Sequence, residues 1–174
     1  SAAMVAIACA LAGIVIGVVD YSGLGIKITS YIVRIADIHI SLGVLFIMGV
    51  VILLGMGMPT DGAYLSAAIL LAPAMVKLGY SQMVVHMFIL YYAVISMVTP
   101  PVAISAYAAA GIAQSDINRT GWLAFFLCAP GFIVPILTLW FPSLIHHDSI
   151  VEMALVLGPI FGLMALIAVL APQI

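Results

Sequence analysis

Residues 55–62 read Gly-Met-Gly-Met-Pro-Thr-Asp-Gly, the strongest helix breaker in the first half of the chain. Before it runs ISLGVLFIMGVVILLGM (40–56), and after it GAYLSAAILLAPAMV (62–76). A bilayer core of about 30 Å takes about 20 apolar helical residues to cross. At about 1.5 Å per residue, 62–76 reaches only about 22 Å. A helix too short to cross, joined through a Gly-Pro break to its predecessor, predicts a re-entrant hairpin over 40–77 with both outer ends on one membrane face. Unwound backbone at membrane depth persists only where it is buried in protein or lines a wet cavity, so the hairpin tip is a functional candidate on physical grounds. The alternative is two ordinary spans joined by an exposed turn, with Asp61 in water.

The composition around this hairpin leaves one solvent. Four Lys plus Arg and six Asp plus Glu stand against 67% hydrophobic residues, with a mean hydropathy of +1.40. Soluble chains carry roughly 25% charged residues. The protein therefore reads as all-α and polytopic in a lipid bilayer. Four cations cannot make a phosphate-binding surface, which removes nucleic acid as a partner. Cys9 and Cys128 lie far apart in apolar runs and suggest neither a disulfide framework nor a zinc site. His146, His147 and Asp148 read as a wet loop. Residues 1–19, 120–147 and 150–174 read as transmembrane helices, and the apolar start at Ser1 suggests a piece of a longer protein. Between them, 20–39 places Lys27, Ser30, Arg34 and Asp37 three and four apart, which predicts an amphipathic segment lying on the membrane interface; a short loop outside the membrane is the alternative.

The run 78–115 carries no charge and is too long for one straight span. Thr99-Pro100-Pro101 divides it into SQMVVHMFILYYAVISMV (81–98) and VAISAYAAAGIAQS (102–115). Two prolines in succession remove two backbone donors and push the residue before them out of the helical region. The expectation is a discontinuous transmembrane helix over 81–115, with Thr99 as N-cap and Pro100 as first residue of the second half. That would free the carbonyls near Ser96, Met97 and Val98. A simple proline kink is the alternative.

A hairpin tip and a broken helix supply complementary chemistry. Helix N-termini attract anionic groups, while unwound carbonyls and helix C-termini coordinate cations. The candidate sodium ligands are accordingly Gly55, Gly57, Thr60, Ser96, Val98 and Thr99. The candidate substrate contacts are Thr60, Asp61, Thr99 and Pro100. Asp61 is read as a cap of the hairpin's second helix in preference to a direct ligand. No catalytic set, resident metal or cofactor is expected beyond sodium as coupling ion, and an enzyme is not expected. His86 is either a proton-relay group or a histidine hydrogen-bonded to a neighbouring helix.

The succession GIVIGVVDYSGLGIKI (13–28), LLGMGMPTDGAY (53–64), LAPAMVKLG (71–79), HMFILYYAVISMVTPPVAISAYAAAGIA (86–113) and TGWLAF (120–125) resembles the large membrane subunit of TRAP transporters, most nearly the fused TAXI-type permeases. The resemblance implies multi-pass residence in the bacterial inner membrane and sodium-driven uptake of small organic anions, carboxylates among them. A periplasmic substrate-binding protein would hand over the substrate. It also implies an elevator-type fold with inverted repeats, in which GMGMPT forms the tip of the second hairpin and Thr99-Pro100-Pro101 the break that follows. Only one hairpin and one break occur here, so the chain would be one half of such a transporter, its first repeat and scaffold helices belonging to the rest of the permease. Lys27, Arg34 and Lys77 would make the hairpin's mouth cytoplasmic by a positive-inside count; the family implies a periplasmic mouth, which is the orientation adopted. A non-transporting membrane scaffold or assembly subunit is the competing function, with a channel behind it.

Overall fold

The computed structural model of the protein describes residues 21–141 continuously, together with single helical positions at 10, 13, 14, 17, 18, 158, 161, 162 and 165. The spans expected at 1–19 and 150–174, and the His146–Asp148 cluster, lie outside the continuous stretch. Within it the chain is helical, with no strand among the described residues. Helix α1 is Leu24–Ile38, α2 Ile40–Gly55, α3 Thr60–Lys77, α4 Gln82–Ile95, α5 Ile104–Ala113, α6 Ile117–Cys128 and α7 Val134–Trp140.

Helix α1 is amphipathic as its sequence requires. Thr29, Ile32 and Ala36 are buried at helical spacing, while Lys27, Arg34 and Asp37 are exposed. Extended backbone at His39 (φ −152°, ψ 122°) ends it. Helices α2 and α3 are joined by residues 56–59 alone, a connection short enough to make them an antiparallel helical hairpin. Helix α1 reaches both outer ends of that hairpin. Its Ala36 packs on Gly43 of α2, where a Cβ would lie 2.8 Å from Ala36 Cβ. Its first turns share a cavity with Ile69, Pro73 and Lys77 of α3. Thus α1 lies across the mouth and the tip lies at the far end.

Helix α4 packs into the hairpin and carries the densest part of the core. Val85, Phe88, Ile89 and Tyr92 are completely buried, against Ile47 and Val51 of α2 and Ala67 and Leu71 of α3. In lipid such contacts hold helices together by close van der Waals packing, not by removal from water. Ser81 begins α4 by accepting the Val84 N–H, and His86 Nδ1 lies 3.0 Å from Tyr64 Oη of α3. That contact is the hydrogen bond to a neighbouring helix that the sequence left as one of two readings.

Ile117–Trp140 is one run of 24 residues, long and apolar enough to cross a membrane. It begins before the expected residue 120 because Asp116 caps it, accepting the Arg119 N–H at 2.7 Å. The described helix ends at Trp140. Pro130 and Pro135 tighten its middle into a 3₁₀ turn, Ala129–Phe132. There the buried Tyr92 hydroxyl of α4 donates to Phe132 O at 2.6 Å. Tyr92→Phe keeps the packing and orphans that carbonyl, so thermal denaturation should show a loss of about 1–3 kcal/mol; unchanged stability would mean the bond adds nothing.

Candidate functional site

The hairpin tip is a tight turn followed by extended chain. Met56 (φ −65°, ψ 119°) and Gly57 (φ 83°) are the central residues of a type II turn, closed by the Met58 N–H to Gly55 O at 3.4 Å. A positive φ at the third position selects glycine, which explains Gly57. Pro59 (φ −58°, ψ 149°) is extended and Thr60 opens α3. The cap reading of Asp61 is corrected here. Pro59 occupies the N-cap position without a side-chain bond, and Asp61 is an exposed first-turn residue, placed where its charge meets the positive end of the helix.

The helix that begins at Gln82 breaks before Ile104, and the expected details of that break are corrected here. Helix α4 tightens into a 3₁₀ turn over Ser96–Val98, Thr99 is extended (φ −92°, ψ 119°), and the second half starts only at Ile104, with Ala103 as N-cap. Thr99 does not cap that second half. Its hydroxyl turns back and donates to Ile95 O at 2.9 Å, as Ser96 Oγ does to Ala93 O at 2.7 Å. Both residues are buried, Ser96 completely. The reason is local. With Pro100 and Pro101 unable to donate, carbonyls at the end of α4 lose their acceptor roles in the helix, and the two hydroxyls take up those one turn earlier. Ser96 O accepts the Thr99 N–H at 3.2 Å. Met97 O has prolines at both positions from which a helical donor would come, and Val98 O has one.

The two breaks meet. A Cβ built on Gly55 would overlap Ser96 Oγ outright and sit 2.7 Å from Ser96 Cβ, closer than side chains tolerate. A Cβ on Gly57 would lie 3.8 Å from Val102 Cγ1, just past the proline pair. So Gly55, the last residue of α2, rests directly on Ser96, the C-cap of α4. Two helix C-termini converge. Each carries roughly half an elementary negative charge at its end, and the Ser96 and Thr99 hydroxyls, their protons committed to the backbone, keep lone pairs free to accept. Such an arrangement favours a cation.

Of the residues singled out in the sequence, Gly55 and Ser96 are in contact, with Val98 and Thr99 in the same turn and Gly57 beside Val102. Thr60 is half-buried at the start of α3, and among the described residues neither it nor Asp61 hydrogen-bonds to the break. Pro100 lines a separate cavity of about 240 Å³ with Pro101, Tyr107, Asn118, Gly121 and Trp122. That cavity holds the contact the sequence reading missed. Tyr107 of α5 donates its hydroxyl to Pro101 O, and its ring lies where a Cβ on Gly121 would come within 3.0 Å. The only sequence signal was a glycine in an otherwise bulky TGWLAF segment.

None of the curated proteins and none of the solved structures compared with the chain matches it. A family model does, over residues 1–144, a range that holds both the hairpin and the broken helix. That family is a transporter family, and its description is "Tripartite ATP-independent periplasmic transporter, DctM component". The chain belongs to the DctM component family of tripartite ATP-independent periplasmic transporters, the large membrane component of TRAP transporters.

Proposed function

We propose that the chain is the ion-coupling half of a sodium-driven carrier for small organic anions such as carboxylates, resident in the bacterial inner membrane as a multi-pass protein. Its hairpin is re-entrant, with the tip at membrane depth. Support comes above all from one contact, Gly55 on Ser96, which sets two helix C-termini together. Like partial charges set together at low dielectric repel, and a cation between or beside them relieves that repulsion. Sodium accepts oxygen ligands of this kind, and the set is Gly55, Gly57 and Val98 through carbonyls and Thr60, Ser96 and Thr99 through hydroxyls. The substrate's carboxylate lies toward the first N–H groups of α3 at Thr60 and Asp61, with Thr99 and Pro100 forming the opposite wall.

The first inverted repeat and the scaffold helices of the elevator come from the rest of the permease, of the fused TAXI type. A periplasmic substrate-binding protein delivers the anion, and the lipid bilayer is the other constant partner. The competing scaffold reading gives no role to polar, unwound backbone packed tip to break. The deciding experiment is uptake into proteoliposomes holding the complete permease and its binding protein. Uptake should require an inward sodium gradient, and residues 1–174 alone should show none. Uptake indifferent to sodium would reject the cation role, and a complete permease that moves nothing would favour the scaffold.

A further inference from the structure

A second cavity lies at the opposite end of the hairpin from the tip. It has a volume of about 260 Å³ and is lined by Gly23, Gly25, Ile26 and Thr29 at the start of α1 and by Ile69, Pro73 and Lys77 toward the end of α3. Its floor is a helix N-terminus. The Leu24 N–H is taken by Ser22 Oγ at 3.3 Å and the Lys27 N–H by Gly23 O at 3.2 Å, while those of Gly25 and Ile26, in the first turn, have no acceptor within the helix. Glycines at 23 and 25 keep side chains out of the way.

Thr29 points independently to a ligand. It is 5% exposed, and among the described residues its hydroxyl makes no hydrogen bond. The neighbouring Ser30 behaves as helical hydroxyls usually do, donating to Ile26 O at 2.8 Å. No fully enclosed side-chain oxygen among the described residues lacks a partner, so the Thr29 hydroxyl opens into the cavity that it lines. The hydroxyl is therefore open to whatever occupies the cavity and can donate to an anion there.

Two lysines stand near the cavity, and one carboxylate, Asp20, precedes Gly23 by three residues in the sequence. Lys77 stands at the rim and Lys27 is exposed on the same turn region of α1. The acidic residues of the two helices lie toward their far ends, Asp37 at the close of α1 and Asp61 at the start of α3, about 24 Å along the helix from Lys77. A carboxylate would find one helix end and one lysine; a tetrahedral oxyanion has enough oxygens to take the N–H groups, the hydroxyl and the ammonium together.

We propose that this cavity binds a phosphate-type anion, held by the first-turn N–H groups of α1, the Thr29 hydroxyl and the Lys77 ammonium. The phosphate comes from a phospholipid headgroup or from free phosphate, and the bound group ties α1 to the mouth of the hairpin.

The test uses the delipidated, full-length membrane component, titrated with phosphatidylglycerol, with diacylglycerol of the same chains, and with inorganic phosphate. Binding is read by native mass spectrometry and melting temperature. Phosphatidylglycerol or phosphate should bind and stabilise, diacylglycerol should not, and Lys77→Gln and Thr29→Val should each weaken binding about tenfold while Thr29→Ser retains it. Binding confined to phosphatidylglycerol assigns the headgroup as source, and equal binding of inorganic phosphate assigns the free anion. Lys77 is exposed, so its variant tests the site even if Thr29→Val folds poorly. Affinity unchanged in Lys77→Gln, or diacylglycerol binding as tightly as phosphatidylglycerol, overturns the proposal.

Discussion

Gly55→Ala should be the most damaging single substitution in the hairpin. The added methyl has nowhere to go, since it would overlap Ser96 Oγ and approach Ser96 Cβ to 2.7 Å, and both residues are buried. Overpacking of this kind typically costs about 1–3 kcal/mol. Here the strain can be relieved only by lifting the tip from the break, which would separate the carbonyls and hydroxyls that form the proposed cation site. In the complete transporter the sodium concentration for half-maximal uptake should rise roughly 30- to 100-fold, with protein still present in the membrane. Ser96→Gly in the same chain removes the obstructing atoms and should restore much of the lost thermal stability, though not the sodium affinity, because it also removes a proposed ligand hydroxyl; the steric coupling is measured by a double-mutant cycle on stability. Gly57→Ala offers a contrast at the same tip. Space exists for its methyl, but φ of 83° does not suit alanine, so a smaller penalty of about 1–2 kcal/mol is expected from backbone strain alone. If Gly55→Ala transports normally, or if Ser96→Gly gives no relief, the tip and the break are not energetically joined.

Thr99→Val isolates one oxygen. The two side chains have nearly the same shape, so the space around the 8% exposed Thr99 stays filled, while the bond to Ile95 O and the hydroxyl's lone pairs disappear. The expected result is an increase of about tenfold in the sodium needed for half-maximal uptake, with little change in the amount of protein in the membrane. Thr99→Ser should stay near the parent value because the hydroxyl is kept. The measurement is initial uptake rate against external sodium, in proteoliposomes with the binding protein in excess. A Thr99→Val protein with unaltered sodium dependence and normal abundance would leave Thr99 a helix-end cap and nothing more.

Those two substitutions mark how much of the site was legible beforehand. Both breaks were visible because proline and glycine act through the backbone of their own residues. Pro100 and Pro101 remove donors whatever surrounds them, and a Gly-Met-Gly-Met-Pro-Thr segment cannot continue a helix. Helical spacing likewise marked α1 as amphipathic through Lys27, Ser30, Arg34 and Asp37, all exposed, while the burial of Thr29 and Ala36 beside Ile32 was shown only by the fold. The direction in which Thr99 would bond was not legible. Sequence favoured a cap on the following helix, and the hydroxyl instead served the preceding one, because the chain turns at Pro100 and Pro101 and resumes helix only at Ile104. Asp61 failed as a cap for a similar reason, since Pro59 already held the position before the first helical turn.

The run 62–76, expected to be too short to cross, belongs to an 18-residue helix, Thr60–Lys77; what the sequence determined by itself is therefore local, an apolar composition and two points where helix must stop. Each follows from the properties of neighbouring residues along the chain. Tertiary structure alone decided which of those points touch. Gly55 and Ser96 lie 41 positions apart, and their contact depends on α4 packing into the hairpin at one register, fixed by the buried faces of three helices together. The same holds for Tyr92 on Phe132 O, Tyr107 against Gly121, and the cavity that α1 shares with the end of α3. A pairing between distant segments is a property of complementary surfaces, and no single segment carries the shape of its partner.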